Sequence, residues 1–370
     1  MGIDGLLIID KPEGVTSLDV VREVKRRLRA NRAGHIGTLD PFATGVLPIA
    51  INEGTKLIPF INDEPKEYEA TLKLGEETTT DDLTGEVVSS QRWEDLSLDV
   101  IRSAFQTFLG KIRQIPPMFS AIKREGKRLY RLARRGVQVE RGERELEIFS
   151  LQIEEIDLPK IRFRVSCSKG TYIRALARDI GREIGCGAHL IQLRRLRSGP
   201  FTLEQTLSWE RLKGLLPESG SFPGLIPLAE ALPSLPEVIG DEQLVRKARH
   251  GREMVVRDLS AGTLPNFEKG QWLKITSPQE GLVAILRSEV RGAEISSASP
   301  DKVALRPVRV FQPNGPPWAK PAVPNICPQG MNIPFQRTNS PMGRDPCLPA
   351  GRRGSLGSGQ KVSGRRSQLV

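Results

Sequence analysis

A loop rich in glycine, threonine and proline contains the carboxylate best placed to do chemistry in this sequence. The loop runs from Gly34 to Pro48, and three glycines among its first twelve residues allow sharp turns and close approach to a ligand. Asp40 stands directly before Pro41, which restricts the aspartate to extended backbone conformations. An Asp-Pro pair is also a common way to start a turn. The loop alone therefore leaves a reactive carboxylate and a plain turn both open.

Other familiar chemistries find little support in the sequence. The three histidines are not spaced as metal ligands, and the four cysteines include no C-x-x-C pair. A phosphate-binding G-x-x-x-x-G-K-[ST] loop and a G-x-S-x-G nucleophile elbow are both missing. Zinc, nucleoside-triphosphate and serine-hydrolase mechanisms are therefore disfavoured. The cysteine pattern and the lack of a secretory signal or a long apolar run predict a cytoplasmic protein that does not enter a membrane.

Positive charge is concentrated in two segments of a chain whose net charge is +11. Residues 111–145 contain eleven basic and four acidic side chains, and residues 315–370 contain eight basic and one acidic. A basic segment in an otherwise balanced protein suggests a polyanionic partner. The alternative is a solvated helix face rich in lysine and arginine, and charge alone does not decide between them.

The elements that must position the loop alternate between strands and helices. Residues 5–10 form an apolar run typical of a strand, and a capping pattern at Thr16 precedes a helix. Residues 67–74 and 161–168 alternate between apolar and polar side chains, as in half-buried strands. Thr171 begins an amphipathic helix that ends at Gly185. We therefore predict an α+β fold with a mixed, largely antiparallel sheet and packed helices.

Composition changes divide the chain into three parts. Residues 1–232 form the first predicted domain, and a run of prolines from 217 to 236 marks the join. Residues 233–313 have strand-like runs that fit a small β-barrel. Residues 314–370 are rich in Pro, Gly and Ser without periodicity, so we expect disorder there. This tail is either a basic extension or translation past the true end of the gene.

Six segments, taken together, resemble the TruB family, the tRNA pseudouridine-55 synthases, in its stand-alone bacterial form. The motifs occur in the family's order, and the unit after residue 239 resembles its C-terminal, PUA-like RNA-binding domain. The resemblance implies the pseudouridine synthase fold. The six segments are DKPEGVTS (10–17), GHIGTLDPFATGVLP (34–48), YEATLKLG (68–75), QIPPMFSAIKREGKRLYRLARRG (114–136), CSKGTYIRALARDIG (167–181) and HLIQLRRLRSGPF (189–201).

The resemblance also implies roles for individual residues. Asp40 matches the catalytic aspartate, a nucleophile toward a uridine that has been flipped out of the RNA. Arg174 matches the arginine that pairs with it and keeps it ionised. Tyr68 matches the tyrosine that stacks on the target base and assists removal of the C5 proton. An ordinary aspartate, with a pKa near ~3.9, would be fully ionised at pH 7 without a separate base.

Further positions are matched to substrate contacts by the same resemblance. His35 matches a histidine that fills the space left by the flipped nucleotide, and Tyr172 and Leu193 match residues that line the uracil pocket. Lys11 and Pro12 match a supporting pair with a structural role. Ile36 departs from the smaller or hydroxylated residue of many members.

The implied partner is tRNA, and the implied reaction requires no cofactor or metal because it is an isomerisation. Residues 111–145 match an insertion that clamps the RNA backbone near the T-arm, and the C-terminal unit would contact the acceptor stem. We expect a monomer with no obligatory protein partner. Two alternatives are an RNA-binding or tRNA-folding protein and a guide-RNA-dependent pseudouridine synthase subunit. Activity of the purified protein without a guide RNA separates them.

Overall fold

A computed structural model describes residues 3–119, 139–215, 222–259 and 264–312, with the backbone of 123–124 and 127–128. These residues contain five α-helices: α1 Ser17–Arg27, α2 Leu98–Thr107, α3 Ile173–Ile184, α4 Trp209–Gly214 and α5 Glu242–Arg249. They also contain nineteen strands: β1 Gly5–Lys11, β2 Ala33–His35, β3 Thr44–Ile51, β4 Lys66–Leu74, β5 Glu76–Thr78, β6 Val87–Ser90, β7 Gly110–Gln114, β8 Lys123–Arg124, β9 Lys127–Arg128, β10 Arg144–Asp157, β11 Lys160–Cys167, β12 Ala188–Ser198, β13 Phe201–Thr202, β14 Leu207–Ser208, β15 Glu237–Ile239, β16 Met254–Val255, β17 Trp272–Ser277, β18 Gly281–Ser288 and β19 Val303–Val310.

A ten-stranded sheet forms the larger part of the fold. Its order is β14-β1-β3-β12-β4-β11-β10-β7, with β2 beside β3 and β13 beside β12. The β1–β14 and β3–β12 pairings are parallel, and every other pairing in this sheet is antiparallel. The predicted α+β fold with a mixed, largely antiparallel sheet is therefore confirmed.

Helices α1, α2 and α3 contribute to one apolar core with this sheet. Helix α1 begins with a capping box between Thr16 and Asp19 and buries Val20, Val21 and Val24. Helix α3 ends at Gly185, whose φ of 97° is the left-handed conformation that terminates many helices. The beginning of α1 and the end of α3 agree with the sequence prediction. The predicted start of α3 at Thr171 is wrong, because the helix begins at Ile173 after Tyr172 and the Thr171 hydroxyl donates to the Ser168 carbonyl at 2.9 Å.

A five-stranded sheet forms the β-rich C-terminal part, in the order β15-β17-β18-β19-β16. Its side chains share an apolar cluster with the large sheet, where Leu282, Ile285 and Phe311 join Leu6 and Ile8. All described residues belong to one compact unit. The predicted boundary at 232/233 and the PUA-like character of this sheet stay predictions.

Two predicted features lie mostly or entirely outside the described residues. The expected disorder of residues 314–370 is one, and residues 120–138 of the predicted RNA clamp are the other, apart from the backbone of β8 and β9. In the part of the chain that is described, no helix has both the length and the apolar character needed to cross a membrane.

Candidate active site

The loop with Asp40 is shorter than the sequence predicted. Strand β2 continues to His35 and β3 begins at Thr44, so both ends of the predicted loop are paired strand. Glycine is tolerated at the strand ends because of its freedom of backbone conformation, with Gly45 at a φ of 102°. We call residues 36–43 the Asp40 loop. A short loop between two paired strands holds its carboxylate more firmly than a long one.

Asp40 of this loop forms an ion pair with Arg174 of α3. The Nη2 group of Arg174 donates to Oδ1 of Asp40 at 3.1 Å, and Nε lies 2.8 Å from Oδ2. Arg174 is the second residue of α3 and only 3% of its side chain is exposed, whereas 31% of the Asp40 side chain is exposed. The pair thus has a buried cation and a carboxylate that a ligand can reach.

Backbone carbonyls and a second aspartate fix the guanidinium of Arg174. Nη1 donates to the carbonyl of Thr80 at 2.9 Å, and Nη2 donates to the carbonyl of Phe119 at 2.8 Å. Nη1 also lies 3.3 Å from Oδ2 of the buried Asp82, whose Oδ1 accepts from the Thr84 amide at 2.9 Å. Asp82 was not among the residues predicted from the sequence. Its only signal there is an acidic turn, TTTDDLTG, at residues 78–85.

The environment of Asp40 changes the pKa expected from its type. Burial raises the pKa of Asp40 and the nearby charge of Asp82 raises it further, while Arg174 and Lys11 oppose the rise. Although part of the side chain is accessible, enough protein surrounds the carboxylate for desolvation to dominate. The ordinary pKa assumed from the sequence is therefore wrong, and the ionised form of Asp40 appears at higher pH than in a free aspartate.

A buried lysine holds the segment that follows Asp40. Nζ of Lys11 donates to the carbonyls of Pro12, Val15 and Pro41 at 2.8, 2.6 and 3.0 Å. The side chain is fully buried, and burial lowers the pKa of Lys11 to about 8. These contacts fit the structural role that the sequence suggested for Lys11.

The first turn of α1 holds the other side of the loop. Oγ of Ser17 donates to the carbonyl of Leu39 at 3.0 Å and accepts from the Leu39 amide at 2.9 Å. The amide of Ala43 donates to the carbonyl of Asp40 at 3.1 Å. The residues on both sides of Asp40 are therefore hydrogen-bonded through their backbones, which limits the positions that the carboxylate can take.

Tyr68 lies in the sheet near this loop. It belongs to β4 and stands opposite Val165 of β11 and Arg195 of β12. Only 6% of the residue is exposed, and burial raises the pKa of Tyr68 to about 12. Asp40 is close enough to raise this pKa as well. The side chain is therefore a neutral phenol at pH 7.

The other three predicted contact residues lie on different elements. Leu193 is buried on β12 opposite Ala70, two residues from the Tyr68 position on the same strand face, and shares an apolar cluster with Leu39 and Tyr68. Tyr172 immediately precedes α3, and its backbone is hydrogen-bonded on both sides to the side chain of Gln114. His35 is half-buried at the end of β2, opposite Ile49. Their roles stay predictions.

Two family models match adjacent parts of the chain. The TruB family pseudouridylate synthase N-terminal domain matches residues 25–173, and the tRNA pseudouridylate synthase B C-terminal domain matches residues 174–221. The first contains Asp40 and Tyr68, and the second begins at Arg174. The two halves of the ion pair thus come from the two matched domains.

Curated relatives match along most of the chain. A tRNA pseudouridine synthase B of Geobacter sulfurreducens is 45% identical over 84% of this chain and 100% of its own length. The protein of the same name from Syntrophus aciditrophicus is 41% identical over 84% of this chain and 99% of its own.

Solved structures with this fold include a protein complex and a ribonucleoprotein. A Cbf5-Nop10-Gar1 complex contains a chain that is 29% identical, with a TM-score of 0.64 over 84% of this chain and 85% of its own length. An H/ACA ribonucleoprotein bound to a substrate RNA matches at 27% identity and a TM-score of 0.63 over the same shares. Together with the family models, these matches confirm the resemblance seen in the sequence. The chain belongs to the TruB family of pseudouridylate synthases, enzymes that isomerise uridine in tRNA to pseudouridine.

Proposed function

We propose that this chain converts uridine 55 in the T-loop of tRNA into pseudouridine, in the cytoplasm, with Asp40 as the nucleophile. The observation that carries the proposal is the ion pair in which buried Arg174 holds a carboxylate that remains partly accessible. The relatives named tRNA pseudouridine synthase B support the substrate class.

The chemistry requires one bond to break, another to form and one proton to be exchanged. The N1–C1′ bond of the uridine breaks and a C5–C1′ bond replaces it. The proton on C5 is lost to solvent and N1 takes up a proton, so the product is an isomer of the substrate. The Asp40 carboxylate adds to C6 of the base or to C1′ of the sugar and leaves again, so the enzyme is regenerated. Arg174 favours the ionised form of Asp40 against burial and orients its two oxygens.

The target base must leave the RNA stack to reach Asp40. Tyr68 and Leu193 supply aromatic and apolar surface in the sheet near the loop, which suits one face of a flipped uracil. Tyr172 is placed at the start of α3, two residues before Arg174. Since Tyr68 is a neutral phenol at pH 7, we propose stacking as its main role and assign it no phenolate chemistry.

RNA binding completes the proposal. Residues 111–145 would contact the backbone of the T-arm, and the C-terminal sheet would contact the acceptor stem, so that affinity falls as salt rises. We propose a monomer that needs no protein partner. The runner-up is a subunit of a guided enzyme, because the matching solved structures include a Cbf5-Nop10-Gar1 complex and an H/ACA ribonucleoprotein.

The test is release of tritium from a tRNA transcript labelled at C5 of uridine, with no guide RNA or second protein present. The wild type should release about one equivalent per tRNA, and a transcript with cytidine at position 55 should lower the release by that equivalent. Asp40→Asn should release none while binding tRNA within about three-fold, because it removes charge but little volume. Asp179→Asn is the matched control. Asp179 lies on α3, the helix of Arg174, but it pairs with Arg178 and does not contact Asp40.

Each result has a clear meaning. Normal turnover by Asp40→Asn would show that the nucleophile is another group. Release that persists with cytidine at position 55 would move the target to another uridine. If the wild type binds tRNA but releases nothing, the protein is an RNA-binding protein or a guided enzyme.

A further inference from the structure

A second buried arginine lies close to the Asp40 loop, and the proposed chemistry does not use it. Arg195 of β12 is 1% exposed. Its Nε donates to the carbonyl of Val46 at 2.7 Å, and its Nη2 donates to the carbonyl of Gly37 at 3.1 Å. Nη1 lies 3.5 Å from the carbonyl of Thr38. One guanidinium therefore contacts the backbone on both sides of Asp40 in sequence.

The partners of Arg195 differ in kind from those of Arg174. Among the described residues, no carboxylate lies within ion-pair distance of Arg195, whereas Arg174 contacts both Asp40 and Asp82. Burying a cation without a carboxylate is costly, and packing alone would be served as well by an apolar side chain. Packing therefore does not explain why this buried position has a charged guanidinium with several hydrogen-bond donors.

The side chain of Arg195 also reaches Tyr68. The two residues are directly opposite in the antiparallel pairing of β12 and β4, so their side chains lie on the same face as close neighbours. Burial raises the pKa of Tyr68, and the nearby charge of Arg195 opposes that rise. Arg195 therefore joins the tyrosine to the backbone around Asp40.

Glycine at position 45 allows this close approach. A Cβ on Gly45 would lie 2.2 Å from the carbonyl oxygen of Arg195, whereas a Cβ on Gly37 would lie 3.4 Å from its Nη1, an ordinary van der Waals contact. Both glycines have positive φ, at 102° and 80°. The backbone around Asp40 is thus built to lie directly against Arg195.

We infer that Arg195 is a positioning residue, which holds the side chain of Tyr68 beside it and the backbone on both sides of Asp40 in one geometry. The roles of Asp40 and Tyr68 in this inference rest on the proposed function. The inference assigns Arg195 no contact with the substrate. Its contribution is the relative placement of the nucleophile and the aromatic ring that stacks on the base.

The first test separates turnover from binding. Arg195→Met keeps an unbranched stem but removes the charge and the donors, and it should lower the single-turnover rate about 100-fold, the scale expected for a displaced reacting group. Affinity for tRNA should change by no more than about three-fold. Arg195→Lys keeps the positive charge but lacks the planar guanidinium donors, and it should recover part of the rate. Arg194→Met is the control, because Arg194 is the adjacent residue and its Nη2 pairs with Asp10 instead.

The second test needs no RNA, so it stands even if the proposed function fails. The chain has three tyrosines, which gives few resonances when the ring Cζ is labelled with ¹³C, and Tyr68→Phe assigns the relevant one. At neutral pH the Tyr68 resonance should shift in Arg195→Met, shift less in Arg195→Lys and stay unchanged in Arg194→Met.

The outcomes decide the inference in both directions. A shifted Tyr68 resonance together with a loss confined to the turnover rate supports it. An unmoved resonance in a folded Arg195 variant overturns it, as does a loss that lies wholly in tRNA affinity. If Arg195→Met does not fold, Arg195→Lys answers the same two questions.

Discussion

The two sheets of this protein differ in how they bury charge. Among the described residues, the only buried charged side chain of the five-stranded sheet is Lys274, which binds two backbone carbonyls and Glu237. The large sheet, its loops and its helices bury several charged groups, and most of them surround one loop. They are Lys11, Lys66, Asp82, Arg174, Arg178 and Arg195.

This difference indicates that the fold accepts the free-energy cost of burying charge where the buried groups position the Asp40 loop. Burying a charge costs several kcal/mol unless hydrogen bonds and an opposite charge compensate. In the large sheet Lys11 and Arg195 are compensated by backbone carbonyls around Asp40, so the same contacts that lower the cost also fix the loop. In the small sheet the buried lysine fixes no loop that carries a reactive group. Substitutions in the two sheets should therefore affect different properties.

Among substitutions of the buried charged groups, Arg174→Met is expected to have the largest effect. It removes the cation that pairs with Asp40 and leaves Asp82 buried without its partner. We expect a loss of about 10²–10³-fold in the single-turnover rate and a loss of about 3–5 kcal/mol in the free energy of unfolding. Single-turnover kinetics on tRNA and denaturant unfolding measure the two effects.

Arg178→Met is the control for that result. Arg178 lies one turn further along α3, is similarly buried, and pairs with Asp81 and Asp179 without contacting Asp40. It should lose stability to a similar extent but keep its rate within about ten-fold. Equal rate losses in the two variants would mean that the helix as a whole, and not the Asp40 pair, sets the activity.

The next largest effect should come from Gly45→Ala. The new Cβ would lie 2.2 Å from the carbonyl oxygen of Arg195 at a φ of 102°, so the start of β3 must separate from β12. We expect a loss of about 3 kcal/mol in the free energy of unfolding and a lower turnover rate. Gly14→Ala is the control, because Gly14 also has a positive φ, at 78°, but no atom lies within 4 Å of the position of the new Cβ. It should cost only about 1–2 kcal/mol, and an equal cost for both variants would exclude the close approach as the cause.

A smaller effect, on pH dependence, is expected from Asp82→Asn. The charge of Asp82 raises the pKa of Asp40, so removing that charge should lower it. The proposed reaction uses ionised Asp40, so the acid limb of the turnover profile should move to lower pH in the variant. The plateau rate should fall about ten-fold because Arg174 loses one of its anchors. A profile of turnover rate against pH measures both changes, and a limb that stays in place or moves upward contradicts this assignment.

Local patterns in the sequence predict most of the fold. The capping box at Thr16, the alternation in β4 and β11 and the stop at Gly185 depend on neighbouring residues, and all appear in the structure. The contacts of Arg174 with Asp40 and of Arg195 with Val46 join residues 134 and 149 positions apart. No periodicity encodes such contacts. The Asp40–Arg174 pair was predicted through the family resemblance. Arg195 belongs to a segment that resembled the family, but the resemblance gave it no role, and Asp82 lies between two such segments.

The smallest effect on activity is expected from Lys274→Met, which removes a buried charge from the five-stranded sheet. Nζ of Lys274 donates to the carbonyl of Ala229 at 2.8 Å and lies 3.3 Å from Glu237, so its removal leaves these acceptors without a donor. The free energy of unfolding should fall by about 1–3 kcal/mol. The turnover rate on tRNA should stay within about two-fold, because none of these contacts reaches the Asp40 loop. A rate loss as large as that of Arg195→Met would show that buried charge in the small sheet is coupled to the active site, and the contrast between the two sheets would then fail.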